Sequence, residues 1–262
     1  MTERSYLRDV QYRDDSNLNA RVELHQRFGT RAGVFNHMVF DQLSLPADAR
    51  VLEVGCGPGR LWAENAERVP PGWRVVLTDF SRGMVEVARR RLGARFGFAV
   101  SDAEALAHPA GAFDAAIANH MLYHVADRPR AIRELARVLR PDGVLYAVTN
   151  GRAHLRELDE LMARWLPGGP GFLHGAAFGL ENGAAQLAEG FAHVELRRWD
   201  DALEITEVEP VVAYARSIAV DGRVDDEAVR RTVAGLIERH GAFHVGRAAG
   251  MFVATSPIQS RT

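Results

Sequence analysis

The chain has 262 residues, of which 47% are hydrophobic and 25% are charged, as is ordinary for a globular protein with its own core. A formal net charge of −2 lacks the basic footprint that nucleic-acid binding leaves, so we expect no nucleic-acid partner. No apolar run approaches the roughly 20 residues of a membrane helix, and the polar N-terminus is unlike a secretory signal. We therefore expect a cytoplasmic protein with no membrane partner, and its single cysteine, Cys56, excludes an intramolecular disulfide.

The first predicted elements are two helices, at about residues 19–28 and 34–43. A polar segment containing Tyr6 and Tyr12 precedes them. These tyrosines either belong to a functional lid or are ordinary surface aromatics, and the sequence leaves both interpretations open.

The most informative stretch covers residues 50–60, with the sequence RVLEVGCGPGR. A short apolar strand carrying Glu53 breaks into a turn, and a helical segment follows. The turn contains three glycines: Gly55, Gly57 and Gly59. Glycines let the main chain approach a ligand closely, and a helix start presents free N–H groups to it. The dinucleotide fingerprint G-x-G-x-x-G/A would need glycine or alanine at position 60, where Arg60 stands, and this disfavours an NAD site.

Acidic residues follow the next two predicted strands. The strand at about residues 74–78 leads into Asp79 and Phe80, and the strand at 96–100 leads to Asp102 and Ala103. A carboxylate at the C-terminal end of a parallel strand can accept hydrogen bonds from ribose hydroxyls, so Asp79 indicates a nucleoside site. NAD would use the same carboxylate, and both acids could instead cap helices.

The fourth predicted strand, at 113–118, runs directly into a polar and aromatic cluster. The cluster contains Asn119, His120, Tyr123 and His124. A helix follows that Asp127 can cap at its N-terminus, and the fifth strand is predicted at 143–149. Strands that alternate with helices in this way indicate an α/β protein with a doubly wound parallel sheet.

The composition changes after the fifth strand. Residues 151–190 are rich in glycine, proline and aromatic residues, and a long insertion of this kind is more often functional than a simple connector. We interpret it as a substrate cap. A strand at 192–199, helices at 208–218 and 226–239, and two short strands at 243–245 and 251–255 complete the chain.

Five elements in this order resemble the class I S-adenosylmethionine-dependent methyltransferases of the small-molecule type. They begin with the E-x-G-x-G-x-G spacing of residues 53–59 and cover roughly residues 51–149. The resemblance implies a Rossmann-like, seven-stranded, mostly parallel sheet. It also implies four regions: an N-terminal helical lid (1–45), a cofactor-binding core (46–150), a cap inserted after the fifth strand (151–190) and a C-terminal half of the sheet with helices (191–262).

The resemblance further implies S-adenosyl-L-methionine as cofactor and a role for each matching residue. The implied cofactor-binding residues are Glu53, Gly55, Gly57, Gly59, Asp79, Phe80, Asp102, Ala103 and Asn119. The candidate catalytic residues are His120, Tyr123 and His124, because a nucleophile that must lose a proton needs a base and histidine titrates near neutral pH. Each of these three side chains could instead be structural. No metal site is expected, since the histidines lack the spacing of zinc ligands.

The predicted function is methyl transfer to a small-molecule acceptor, at oxygen, nitrogen or carbon, by a monomer or homodimer. The Arg- and Ala-rich composition is compatible with bacterial secondary metabolism. One alternative is a scaffold that binds the cofactor but catalyses another reaction, such as a cyclisation, since fold does not fix function. An NAD-dependent oxidoreductase is a second alternative. A tRNA- or protein-directed methyltransferase would need a basic groove or an added domain, and neither is evident.

Overall fold

The computed structural model describes residues 16–31, 35–166, 177–219 and 223–258. The strands are β1 (Arg50–Val54), β2 (Arg74–Asp79), β3 (Gly97–Val100), β4 (Phe113–Asn119), β5 (Leu139–Asn150), β6 (Phe191–Ile205) and β7 (Phe243–Pro257). They form one seven-stranded sheet in the order β3-β2-β1-β4-β5-β7-β6. Strands β1 to β5 pair in parallel and β7 is antiparallel to both of its neighbours, which confirms the predicted fold class.

Helices connect these strands and precede the sheet. They are α1 (Ser16–Phe28), α2 (Phe35–Asp41), α3 (Arg60–Glu64), α4 (Arg82–Leu92), α5 (Arg128–Val138), α6 (Arg156–Trp165), α7 (Gly183–Leu187), α8 (Glu209–Ile218) and α9 (Asp226–His240). Two 3-10 turns cover Gly93–Arg95 and Leu122–His124. None of the helices in the described parts of the chain is both long enough and apolar enough to span a bilayer.

Capping residues fix the ends of three of the helices. The Ser81 hydroxyl accepts a hydrogen bond from Met84 N at the start of α4, and the Asp127 carboxylate accepts one from Arg130 N at the start of α5. At the other end of α9, Gly241 has a φ of 80° and its N–H donates to Ile237 O. These local signals set the helix boundaries because they satisfy backbone groups that a helix end leaves without partners.

The C-terminal part of the sheet differs from the prediction. Instead of two short strands at 243–245 and 251–255, β7 is one continuous strand of 15 residues. Strand β6, expected at 192–199, also has 15 residues and pairs with β7 along its length. Cross-strand pairing with β6 keeps the backbone of β7 extended through Gly246 and Gly250. Strand β5 begins at Leu139, four residues earlier than expected.

The extra length of β6 and β7 forms a two-stranded ribbon that passes beyond β5. The pairing of β5 with β7 covers only Ala249–Thr255 on β7, whereas β6 continues to pair with β7 as far as Phe243. We call residues 200–205 and 243–248 the ribbon. Apolar residues of the ribbon pack with α1, α6, α8 and α9 in a separate core beside the sheet.

The first part of the predicted lid, including Tyr6 and Tyr12, lies outside the described residues, as does His174 of the predicted cap. Within the described part, the end of α1 is joined to the ribbon. Thr30 N donates to Ala202 O at 2.9 Å, and Gly29 forms an isolated bridge with Leu203. The division of the chain into lid, core and cap therefore stays a prediction, but α1 is anchored to the C-terminal half.

Candidate functional site

A cavity of about 550 Å³ lies at the carboxyl ends of the parallel strands. Its volume is within the range of small-molecule sites, and its position is the one at which open α/β sheets bind ligands. Its walls come from the loops after β1, β2, β3 and β4, from one face of α1, and from β6, β7 and α8. The cavity therefore joins the segment expected to bind a nucleoside to parts of the chain far from it in sequence.

The glycine turn follows β1 with an unusual backbone. Gly55, Gly57 and Gly59 have φ angles of 70°, 53° and 74°, a conformation that disfavours residues with a Cβ. A Cβ on Gly57 would meet nothing nearer than the Leu18 side chain at 4.0 Å, so this position faces open space in the cavity. We call the backbone at residues 55–57 the cradle.

Gly57 leaves space in the cavity, whereas Gly55 and Gly59 allow close packing of the protein around them. A Cβ on Gly55 would lie 2.6 Å from Met121 Cβ, so this glycine allows the loop after β4 to come close. A Cβ on Gly59 would lie 2.7 Å from Leu92 in α4. Gly59 is not among the residues that line the cavity, and its role in the structure is to let α3 pack on α4.

The Asp79 carboxylate is held against the cradle. Its Oδ2 accepts a hydrogen bond from Gly57 N at 2.9 Å, and its Oδ1 accepts one from Ser81 N at 2.8 Å. Enclosure in the cavity raises the pKa of this carboxyl above its usual value, and the backbone N–H bonds partly oppose that shift. Since each carboxylate oxygen has a second lone pair, Asp79 can still accept hydrogen bonds from two hydroxyls of a ligand.

Glu53 lies behind the cradle and is 2% exposed. Trp62 Nε1 donates a hydrogen bond to its Oε2 at 2.6 Å. Burial, with a smaller contribution from the nearby Asp79 charge, raises the pKa of Glu53 to about 8, although the Trp62 bond lowers it. The Glu53 carboxyl therefore keeps its proton to a higher pH than an exposed glutamate does.

Other predicted cofactor residues also line the cavity. They are Phe80, Asp102, Ala103 and Asn119. Asp102 forms a turn rather than capping a helix, since its Oδ1 accepts from Glu104 N at 3.0 Å. Asn119 Oδ1 is buried and has no hydrogen-bond partner among the described residues. A buried acceptor without a partner is costly, so this oxygen is poised to accept a hydrogen bond from a ligand.

The three candidate catalytic residues come directly after β4, and all of them line the cavity. His120 has a φ of 52°, which is uncommon for a residue with a Cβ and costs energy. Its backbone N–H donates to Val148 O at 3.0 Å. The centroid of its ring lies 5.4 Å from that of Phe35 and 6.4 Å from that of Tyr123. The backbone is thus held in a strained form that directs residue 120 into the cavity rather than along the strand.

Several cavity residues were not identified from the sequence. They are Arg21, His25, Asn150, Asp201, Tyr214 and Arg247, together with His154, which the sequence had placed in the cap. No motif connects them, because they come from α1, the end of β5, the ribbon and α8. Only the periodic spacing of residues 18, 21, 22 and 25 gives a signal, since it places them on one face of α1.

The residues present fit S-adenosylmethionine. The cradle leaves open backbone where a ligand can lie, Asp79 offers a carboxylate for ribose hydroxyls, and Asn119 offers an acceptor without a partner in the described chain. Within the described residues, no group of three or more histidine, cysteine, aspartate or glutamate side chains could hold a metal ion.

Comparison with protein families supports the same assignment. Residues 52–147 match the family described as "Methyltransferase domain". The chain is 34% identical over 117 residues to a ubiquinone/menaquinone biosynthesis C-methyltransferase, UbiE, of Hahella chejuensis, covering 43% of this chain and 47% of that protein. It is 40% identical over 111 residues to a ubiquinone biosynthesis O-methyltransferase of Xanthomonas axonopodis pv. citri, covering 41% and 45%. The chain thus spans about half the length of these relatives.

Solved structures extend the likeness to most of the fold. A putative methyltransferase of Bacillus halodurans has a TM-score of 0.63 at 16% identity, covering 86% of this chain and 100% of that one. A phosphoethanolamine N-methyltransferase of Haemonchus contortus, in complex with S-adenosylhomocysteine, has a TM-score of 0.62 at 17% identity, covering 98% and 61%. The [4+2]-cyclase SpnF has a TM-score of 0.57 at 21% identity, covering 92% and 93%. At these identities the likeness shows the fold alone.

Proposed function

Because this chain carries a class I S-adenosylmethionine-dependent methyltransferase domain, we propose that it transfers a methyl group from S-adenosylmethionine to a small-molecule acceptor. The observation that best supports this is the continuity of one cavity. The cradle and Asp79 line this cavity together with His120 and with Arg21 and Arg247, which come from other parts of the fold. One enclosed space can therefore hold both reactants together.

The chain's main task in this reaction is positioning. Bound S-adenosylmethionine supplies a methyl group that is already activated, because it leaves from a sulfonium. Holding two reactants in line removes much of the entropic part of the barrier. We assign Asp79 to the ribose hydroxyls, Asp102 and Ala103 to the adenine, and Asn119 to a donor group of the cofactor.

We assign proton removal from the acceptor to His120. Its backbone has a φ of 52°, and the residue lines the cavity directly after β4. Imidazole titrates near neutral pH, so it can accept a proton from a hydroxyl or amine as the methyl group is transferred. Tyr123 and His124 line the same wall and are assigned to packing around the acceptor.

A cofactor-dependent cyclisation is the alternative function. Its support is the likeness to SpnF, which is of the fold only. A cyclase of this kind would bind the cofactor without consuming it. We favour methyl transfer because the two sequence relatives, which match at higher identity, are both methyltransferases.

The test is turnover of methyl-labelled S-adenosylmethionine with a set of small phenols, amines and organic acids. We expect S-adenosylhomocysteine to form only when an acceptor is present, with the label in the product. If the cofactor binds and stays intact while a substrate rearranges, the cyclisation is correct. If the cofactor does not bind, both assignments are wrong.

A further inference from the structure

The end of the cavity away from the cradle is made by side chains from four separate parts of the fold. Arg21 comes from α1, Asn150 from the end of β5, Tyr214 from α8 and Arg247 from the ribbon. We call these four residues the far cluster. All of them lie outside residues 52–147, which match the methyltransferase domain.

Arg247 is held in place by Asp201 on the opposite strand of the ribbon. Its Nη1 donates to Asp201 Oδ2 at 2.9 Å, and both side chains are nearly buried, with exposed fractions of 12% and 9%. The other carboxylate oxygen of Asp201 accepts from Thr30 Oγ1 at 2.6 Å and from Ala202 N at 2.7 Å. One oxygen of Asp201 therefore fixes the guanidinium, and the other anchors the segment after α1.

Gly29 makes room for this pair. A Cβ at this position would lie 3.1 Å from Arg247 Nη1 and 2.9 Å from His25 O, closer than side chains ordinarily approach. The chain thus carries a glycine where the guanidinium passes the end of α1.

Hydrogen-bond donors dominate what remains available to a ligand. Arg247 Nε and the Tyr214 hydroxyl are buried, and neither has a hydrogen-bond partner among the described residues. Tyr214 is 0% exposed and Arg21 is 7% exposed. Asn150 Oδ1, which can only accept, also lacks a hydrogen-bond partner in the described chain.

The buried guanidinium of Arg247 has lost much of the hydration that it would have in water. Burial lowers the pKa of Arg247, and the Asp201 charge opposes that shift without cancelling it. A second negative charge beside the guanidinium would recover more of the lost hydration. Arg31 also lines the cavity and adds a further positive charge at its exposed edge.

We propose that the acceptor carries an anionic group, a carboxylate or phosphate, which binds to the far cluster through Arg247, Arg21 and the Tyr214 hydroxyl. Guanidinium groups suit both anions because their N–H donors form paired hydrogen bonds with them. The anion would bind at the end of the cavity opposite the cradle, so that the rest of the acceptor points towards His120. This inference rests on the proposed methyl transfer and names the substrate class for it.

The test compares acids with their neutral counterparts on protein saturated with S-adenosylhomocysteine. Calorimetry would measure binding of 4-hydroxybenzoate against 4-hydroxybenzamide, hexanoate against hexanamide, and phenyl phosphate against phenol. We expect at least one anion to bind tenfold or more tightly than its neutral partner. The carboxylate and phosphate arms show which anion the far cluster prefers.

Two variants of the far cluster and one control locate the effect. Arg247→Gln should abolish the preference for the acid, and Arg198→Gln should keep it, because Arg198 is an exposed arginine of β6 that pairs with Asp200. Tyr214→Phe removes a hydroxyl with no hydrogen-bond partner in the described chain, so it should fold normally and weaken acid binding several-fold. It decides the question if Arg247→Gln does not fold.

Two results would overturn the anion site. In the first, each neutral compound binds as tightly as its acid. In the second, the preference for the acid survives in both Arg247→Gln and Tyr214→Phe. Binding of S-adenosylhomocysteine is measured separately on each protein. If the wild type does not bind S-adenosylhomocysteine, the proposed function is contradicted. If it binds the cofactor but shows no preference for the acids, only the anion site is contradicted.

Discussion

The two ends of the cavity are built in different ways. The cradle end comes from consecutive strand–loop units between Glu53 and His124, and much of it is backbone shaped by glycines with positive φ. The far cluster comes from α1, β5, the ribbon and α8, and it acts through side chains held by long-range pairs such as Arg247–Asp201. The first end suits a constant ligand such as a cofactor. The second can change its side chains without disturbing the sheet, which suits a variable acceptor.

His120 is the proposed base, and its removal should have the largest effect. His120→Asn removes the base but keeps a residue that tolerates positive φ. We expect kcat to fall by about 10² to 10⁴-fold with S-adenosylhomocysteine affinity nearly unchanged. Tyr123→Phe is the control and should keep most of the activity. A His120→Asn enzyme with normal kcat would remove the histidine from the reaction.

Filling the cradle should have the next largest effect, and only on the cofactor end. Gly57→Ala places a methyl group in the open space above the turn. Gly111→Ala is a matched control, since Gly111 has a φ of 65° with nothing within 4 Å and does not line the cavity.

Both alanine variants should lose about 1 kcal/mol of stability from backbone strain. Only Gly57→Ala should also weaken S-adenosylhomocysteine binding, by roughly tenfold to a hundredfold in calorimetry, or about 1.4–2.8 kcal/mol. Equal cofactor affinity in the two variants would show that the cradle does not hold the ligand.

A smaller effect is expected in the pH dependence of stability. The pKa of Glu53 is raised to about 8 by burial, so the folded protein binds more protons than the unfolded chain between the ordinary glutamate range and pH 8. Stability should therefore fall as the pH rises through this interval. Glu53→Gln can keep the hydrogen bond from Trp62. In this variant the free energy of unfolding should decrease with pH by about 1–2 kcal/mol less than in the wild type.

Denaturant unfolding of the ligand-free protein at pH 5, 6.5 and 8 measures this difference. Wild type and Glu53→Gln should converge at pH 5 and diverge at pH 8, where the variant is the more stable. Parallel curves for the two proteins would mean that Glu53 ionises normally.

The cradle end could be predicted from the sequence because its signals are local. The Gly-x-Gly-x-Gly turn, an acid after β2 and a polar cluster after β4 each lie within a few residues of a strand end, and parallel strands bring those ends together. The capping residues Ser81 and Asp127 set helix starts for the same reason. The packing role of Gly59 could not be predicted, because it depends on a contact with Leu92, which is more than thirty residues away in the sequence.

The far cluster could not be predicted, because its geometry depends on the length of two strands. The sequence predicted two short strands at 243–245 and 251–255, with Arg247 in the gap between them. In the folded chain, pairing with β6 carries Arg247 beyond β5 and sets it opposite Asp201. A buried arginine–aspartate pair leaves no local sequence pattern, since its partners are separated by 46 residues.

The central claim is that the cradle end binds S-adenosylmethionine, and calorimetric titration tests it most directly. Wild type, Asp79→Ala and Asp114→Ala would each be titrated with S-adenosylmethionine, S-adenosylhomocysteine and NAD. Asp114 is a control at the opposite end of the strands, where its carboxylate accepts from Arg50 N. We expect S-adenosylmethionine and S-adenosylhomocysteine to bind wild type and Asp114→Ala with micromolar affinity. We expect neither to bind Asp79→Ala, and NAD to bind none of the three proteins. Binding of NAD alone, or equal cofactor affinity in wild type and Asp79→Ala, would contradict it.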